Sequence, residues 1–130
     1  MKDYQPNGEI LAYPVITSGE FAHRQSLENV SGEEDPAKQT FWSLETHVSD
    51  RTPPAFLWHT YEDDAVPVEN SLLFVSALRR AGVPCEFHLF EKGVHGLSLC
   101  NAEVATPMPP TAPWMGLCLT WLSNRFSFEE

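Results

Sequence analysis

At 130 residues and 42% apolar side chains, the chain has the size and composition of one globular domain or a piece of one. Eighteen acidic residues against eight basic ones leave a formal charge of −10, which argues against a nucleic-acid partner or an anionic membrane surface, since both require clustered Lys and Arg. The start "MKDYQPNGEI" has no apolar core of signal-peptide length, and no run approaches the roughly 18 apolar residues of a membrane span, so a cytoplasmic, soluble product is expected.

The first apolar run, "ILAYPVI" at 10–16, has strand length and enough apolar character to be buried on both faces, although Pro14 cannot donate to a ladder. The polar stretch 17–50 follows, with "SGEEDP" at its middle. It reads as two short helices joined by a turn, the second capped by Asp35 with Pro36 at its first position. An insertion of this length between strands of an α/β sheet has the character of a lid or pocket wall. His23 and Arg24 within it read either as a surface ion pair or as pocket lining.

"AFLWH" at 55–59 and "CEFHLF" at 85–90 are the second and third strands. Between them "PVENSLLFVSALRRAG" carries a helix: Pro67 suits the first turn, Glu69 complements the N-terminal dipole, and Gly82 stands where a terminating glycine belongs. Leu72, Phe74, Val75 and Leu78 form its apolar stripe. Strand, helix and strand with short links make a βαβ unit, hence parallel strands. The proline-rich segment 101–113 reads as a surface loop, and "PWMGLCLTWLSNRF" closes the chain as an amphipathic helix with Trp114, Leu117, Cys118, Trp121 and Leu122 on one side.

Ligands in parallel α/β sheets bind beyond the carboxyl ends of the strands. Asp63 follows the second strand and His95, in "EKGVHG", follows the third, so both emerge at one edge. A carboxylate bonded to imidazole Nδ1 fixes the tautomer and stabilises the imidazolium, as histidine general-base catalysis requires. Both acids, Asp63 and Asp64, also suit a solvated loop ahead of a helix N-terminus. His59 and His88 read as packed or hydrogen-bonded histidines. Cys85, Cys100 and Cys118 are widely spaced without a C-x-x-C pair and read as reduced structural thiols; a nucleophilic cysteine paired with His95 is the sharper alternative. Metal-ligand spacing is absent, and Gly93 with Gly96 lacks the context of a phosphate cradle, so no metal or cofactor is expected.

The stretch "FLWHTYEDDAVPVENSLLFVSALRRAGVPCEFHLFEKGVHGLSL" resembles the C-terminal part of α/β-hydrolase fold serine esterases, especially the acetylesterase and xylan-esterase-like carboxylesterase group. Upstream, "LAYPVITSGEFAHRQSLENVSG" and "SLETHVSDRTPP" are similar to the same group, so the resemblance covers nearly the whole chain. It implies the C-terminal half of an α/β-hydrolase fold: about three parallel strands with flanking helices and a helical insertion. Residues 1–130 would form a single partial domain, with 17–50 as insertion or lid and 55–130 as the βαβ unit plus C-terminal helix. It also implies that Asp63 is the triad acid, with Asp64 as the competing choice, and that His95 is the triad base.

The family's G-x-S-x-G nucleophile elbow and HGGG-type oxyanion loop do not occur in this sequence, and "ITSGE" around Ser18 lacks the elbow spacing. The resemblance therefore implies the acid- and base-bearing half of an esterase acting on short acyl esters, some of them on sugars, and nearly inert alone. It further implies an open first-strand edge that a second copy or a complementing N-terminal half would cover. The alternatives are a non-catalytic hydrolase remnant acting as a dimeric or interaction module, and a thiol-dependent activity.

Overall fold

The computed structural model describes residues 5–103 and 106–127. Its elements in chain order are β1 (Glu9–Ala12), α1 (Arg24–Ser31), three 3-10 turns (Pro36–Lys38, Thr40–Trp42 and Leu44–Thr46), β2 (Ala55–Thr60), α2 (Glu69–Ala81), β3 (Cys85–Phe90) and α3 (Trp114–Phe126). The three strands pair in the order β1-β2-β3, and both pairings are parallel. This is the α/β architecture of three parallel strands with flanking helices that the sequence predicts.

The central strand sorts its side chains by alternation. Phe56 and Trp58 face α3 and pack with Leu97, Trp114, Cys118 and Trp121, whereas Ala55 and Leu57 face α2 and pack with Phe74, Leu78 and Val83. Every residue of β2 is buried, and full burial of a side chain the size of Phe56 or Leu57 contributes about 1.5–3 kcal/mol. Trp58 stacks on Trp114 with ring centroids 4.9 Å apart. The same alternation turns His59 toward α2 and Thr60 toward the other face.

Helix α2 ends as its sequence requires. Gly82 adopts the left-handed φ of 73° that glycine accepts without strain, and its N–H bonds to the carbonyls of Leu78 and Arg79. The buried face differs from the expected stripe: Asn70, Ser71, Phe74, Ala77 and Leu78 are inside, while Leu72 is 44% exposed. The first turn is polar inside because Asn70 and Ser71 serve hydrogen bonds. Asn70 Oδ1 accepts from the backbone N–H groups of Ile16 and Thr17, and its amide donates to the carbonyls of Phe21 and Pro67.

Three further expectations are corrected. The first strand stops at Ala12 instead of reaching Ile16, because Tyr13 takes a left-handed φ of 39° and the following Pro14 has no N–H to offer. As an edge strand β1 is also half exposed, with Ile10 at 45%, and is not buried on both faces. In 17–50 only α1 is an α-helix; Asp35 does cap Pro36–Lys38 through Ala37 N–H, but the remainder forms 3-10 turns. Bonds outside the helical repeat divert it: Thr46 Oγ donates locally to the Ser43 carbonyl, whereas Ser43 Oγ accepts from the distant Ser18 N–H and Leu44 N–H reaches the Ile16 carbonyl. The proline-rich loop is not confined to the surface either, since Thr111 is fully buried and donates its hydroxyl to the Lys92 carbonyl.

His23 and Arg24 form no ion pair with each other. The His23 ring caps α1 at Ser26, and the Arg24 guanidinium donates to the carbonyls of Ser18 and Gly19 and to Gln39 Oε1, tying the insertion together. Among the described residues, no helix is long and apolar enough to cross a membrane.

Candidate acid and base site

Because the strands are parallel, the chain leaves β2 at Thr60 and β3 at Phe90 on the same rim, where Tyr61 N–H bonds the Phe90 carbonyl at 2.8 Å. The loop after β2 folds back on itself around Asp63, whose Oδ1 accepts from the backbone N–H groups of Ala65 and Val66 at 3.1 and 2.9 Å. That local turn buries Asp63 to 7% exposure, while the adjacent Asp64 stays exposed. The second oxygen, Oδ2, accepts from His95 Nδ1 at 2.8 Å. The structure therefore brings Asp63, and not Asp64, to His95.

The His95 loop is fixed at both ends. Thr60 Oγ donates to the Gly93 carbonyl at 2.8 Å, and Leu97 is buried in the core facing α3. Gly93 has a φ of 139°, and a Cβ there would lie 2.6 Å from Leu97 and 2.9 Å from Thr60, so glycine is required by both backbone and space. At the solvent edge Lys92 Nζ contacts Glu62 Oε1 at 2.6 Å, linking the two loops. The hydrogen bond and charge of Lys92 lower the Glu62 carboxyl below its usual range and Glu62 raises Lys92, but an exposed pair of this kind adds little stability.

Tyr13, at the end of β1, completes the rim. Its ring meets His95 edge to face at 4.7 Å between centroids and Trp58 at 5.0 Å, and its hydroxyl accepts from Ser98 N–H. With Nδ1 committed to the carboxylate, Nε2 is the His95 nitrogen left to exchange a proton, and the side chain is 34% exposed. An imidazole held at Nδ1 by a buried carboxylate, with Nε2 open, is an arrangement able to accept and return a proton.

His59 lies behind the acid, fully buried. Its Nε2 is 2.9 Å from the Val66 carbonyl and 3.2 Å from Asp63 Oδ2, and its Nδ1 is 2.7 Å from Ser71 Oγ. Burial lowers its pKa below the ordinary 6.5, against the raising influence of the Val66 carbonyl and Asp63. It is a hydrogen-bonded histidine, and His88 likewise bonds Glu86.

The remaining candidates stand apart from this rim. Ser18 is buried, with its N–H on Ser43 and its carbonyl on Arg24. Cys85, Cys100 and Cys118 are free thiols, and burial pushes all three upward, away from the thiolate a nucleophile needs. Among the described residues no group of three or more His, Cys, Asp or Glu side chains has the arrangement of a metal site. Sequence reading missed Tyr13 and Ser71, which join the site only through long-range contacts.

Residues 4–116 match the prolyl oligopeptidase family. The chain belongs to that family. Its fold matches part of an acetyl ester-xyloside bifunctional hydrolase from Caldicellulosiruptor lactoaceticus, with a TM-score of 0.83 and 42% identity, covering 95% of this chain and 44% of that one. Over 100 residues it is 46% identical to endo-1,4-beta-xylanase B of Butyrivibrio fibrisolvens, covering 76% of this chain and 16% of the relative. It is 37% identical to an acetylxylan esterase of Xylanibacter ruminicola over 100 residues, covering 72% of this chain and 21% of that protein. The chain thus spans less than half the length of each of these relatives, and is a stretch of the α/β-hydrolase esterase type.

Proposed function

We propose that this stretch supplies the acid and base of a serine carboxylesterase, with Asp63 orienting His95 and His95 moving the proton between the nucleophile and the leaving alcohol. The observation that carries the proposal is the 2.8 Å bond from His95 Nδ1 to the buried Asp63 carboxylate. In acyl transfer His95 Nε2 takes the proton of an attacking serine hydroxyl and returns it to the departing alkoxide, and Asp63 stabilises the imidazolium between those steps. The serine and the oxyanion donors come from outside this sequence, which has no G-x-S-x-G.

An ester of a short acyl group, carried on a sugar, is the class favoured by the names of the esterase relatives; the family name alone leaves peptide bonds as the competing class. The acid and base serve both chemistries equally, because each proceeds through a tetrahedral intermediate and proton return to the leaving group.

The half-exposed edge of β1 is where we place the complementing, serine-bearing segment. A second copy of this chain at the same edge is the competing occupant, favoured by the missing nucleophile and corresponding to a non-catalytic dimeric module.

The test joins this chain to the part of the Caldicellulosiruptor relative that it does not cover, and assays an acetyl ester, a proline anilide and fluorophosphonate labelling. The reading expects ester turnover and labelling in the joined protein, neither in the chain alone, and a loss of about 10⁴-fold in turnover for Asp63→Asn. Unchanged turnover in Asp63→Asn, or labelling of the isolated chain, overturns it. Preferential anilide cleavage overturns the ester assignment while leaving the acid and base in place.

A further inference from the structure

Asp63 sits between two imidazoles, and the His95 one accounts for only part of its geometry. The Oδ1 oxygen is pinned by the Ala65 and Val66 N–H groups of its own loop. Those bonds leave the carboxylate able to pivot about Oδ1. Opposing that pivot requires a fixed group against Oδ2. His95 rides on a loop near solvent with a side chain 34% exposed, whereas the side chains of His59 and Asp63 are both at 0%. The immobile group beside Oδ2 is therefore His59, whose Nε2 stands 3.2 Å away.

The chemistry of its partners fixes the His59 tautomer. The Val66 carbonyl, 2.9 Å from Nε2, can only accept, so Nε2 carries the proton. Nδ1 then accepts from the Ser71 hydroxyl at 2.7 Å, and Ser71 is held in the first turn of α2, fully buried. Ser71 thus donates to His59, the His59 Nε2–H goes to the carbonyl of Val66, whose own N–H holds Asp63 Oδ1, and the same Nε2 stands 3.2 Å from Oδ2, the oxygen that also receives His95. We infer that His59 is a positioning residue that acts through Asp63: its ring, oriented by the Ser71 hydroxyl, holds the Val66 turn through Nε2–H and stands against Oδ2, keeping the carboxylate in the rotation that faces His95.

A neutral imidazole suits this role. Burial disfavours the His59 cation, so the carboxylate charge stays available to His95 when that ring takes up a proton. A second cation on Oδ2 would compete for it. A Lys or Arg at position 59 would supply a donor together with that competing charge.

The inference rests on the Asp63–His95 pairing proposed above, and the experiment separates the two. Long-range proton–nitrogen NMR spectra of the full chain, labelled with ¹⁵N-histidine, report both the tautomer of His59 and the Nδ1–H proton of His95. Expected at neutral pH are an Nε2–H tautomer for His59 and a slowly exchanging His95 Nδ1–H resonance. That resonance is lost in His59→Leu and retained in His59→Gln, whose amide keeps a donor toward the Val66 carbonyl. Near-ultraviolet circular dichroism verifies that each variant is folded.

A His95 resonance that persists in folded His59→Leu, or disappears in His59→Gln as well, overturns the inference. So does an Nδ1–H tautomer for His59 in the unaltered protein, a result that depends on no variant folding. Absence of the His95 resonance from the unaltered protein overturns the pairing itself, while its presence with indifference to position 59 overturns only the role of His59.

Discussion

Tyr13 packs edge to face on His95 from a backbone that is itself left-handed, with a φ of 39° and a centroid separation of 4.7 Å. A non-glycine residue in that region is uncommon and persists where its surroundings hold it. Here the holding groups are Trp58, whose carbonyl accepts the Tyr13 N–H, and Ser98, whose N–H reaches the phenol. Tyr13→Phe is expected to cost about 0.5–1.5 kcal/mol in urea unfolding through the lost Ser98 bond, with His95 left in place. Tyr13→Ala should cost more and also move the His95 ring resonances, since both aromatic contacts go. Equal unfolding midpoints for the two variants would contradict this.

Asp63 accepts two backbone N–H bonds and faces two histidine rings. Asp63→Ala leaves buried donors without an acceptor, at about 1–3 kcal/mol for each orphaned group. The variant is therefore expected to unfold at distinctly lower urea than Asp64→Ala, whose parent side chain is exposed. Matching midpoints for the two would remove the case for Asp63 as the structural centre of the loop.

Gly93 gives a steric prediction. Alanine there meets Leu97 at 2.6 Å and Thr60 at 2.9 Å while occupying a φ of 139°. Overpacking of this kind costs about 1–3 kcal/mol, and the relaxation must displace the segment that carries His95. Gly93→Ala is expected to lower the unfolding midpoint and weaken the His95 Nδ1–H signal, whereas Gly96→Ala, with no atom within 4 Å of the added Cβ, disturbs packing less although its φ of 81° remains unfavourable.

The pH dependence of stability follows from His59, which faces Asp63, His95, the Val66 carbonyl and Ser71. Its pKa is lowered in the folded protein from the ordinary 6.5, first by burial. The unfolded chain thus binds the proton more readily, and stability falls as pH drops below 6.5 toward the folded value. Glu9 runs the opposite way: burial raises its carboxyl above 4.5, so its charge costs stability as pH rises through that region. Urea midpoints at pH 7.5 and 5.5 should therefore differ less in His59→Gln than in the unaltered protein. An unchanged difference would show that His59 is not the titrating group.

The three strands and two of the helices are legible from local pattern. The βαβ segment is nearly exact because Pro67, Glu69 and Gly82 punctuate the helix and the flanking runs are short and apolar. The insertion is not legible to that degree, since Ser43, Thr46 and Leu44 choose partners far along the chain or against the helical repeat. At the site, the strand-exit argument singles out Asp63 and Asp64 together with His95. Choosing between the two acids depends on the turn closed by the Ala65 and Val66 N–H groups, and adjacent identical residues offer no pattern to reveal it. Ser71 and Tyr13 were silent because a serine inside a helix and a tyrosine after a strand have ordinary local explanations.

Among the described residues, the groups that surround the Asp63 carboxylate oxygens belong to positions 59, 65, 66 and 95. They sit in one uninterrupted run of sequence spanning a single strand–helix–strand turn. Such a run is a natural cassette: exchange between homologous genes with breakpoints outside it transfers the gripped carboxylate and its imidazole together, while the Tyr13 ring that packs on the imidazole has to come from the recipient. Circular permutants opened before position 55 or after position 100 are accordingly the ones in which the imidazole keeps its orientation.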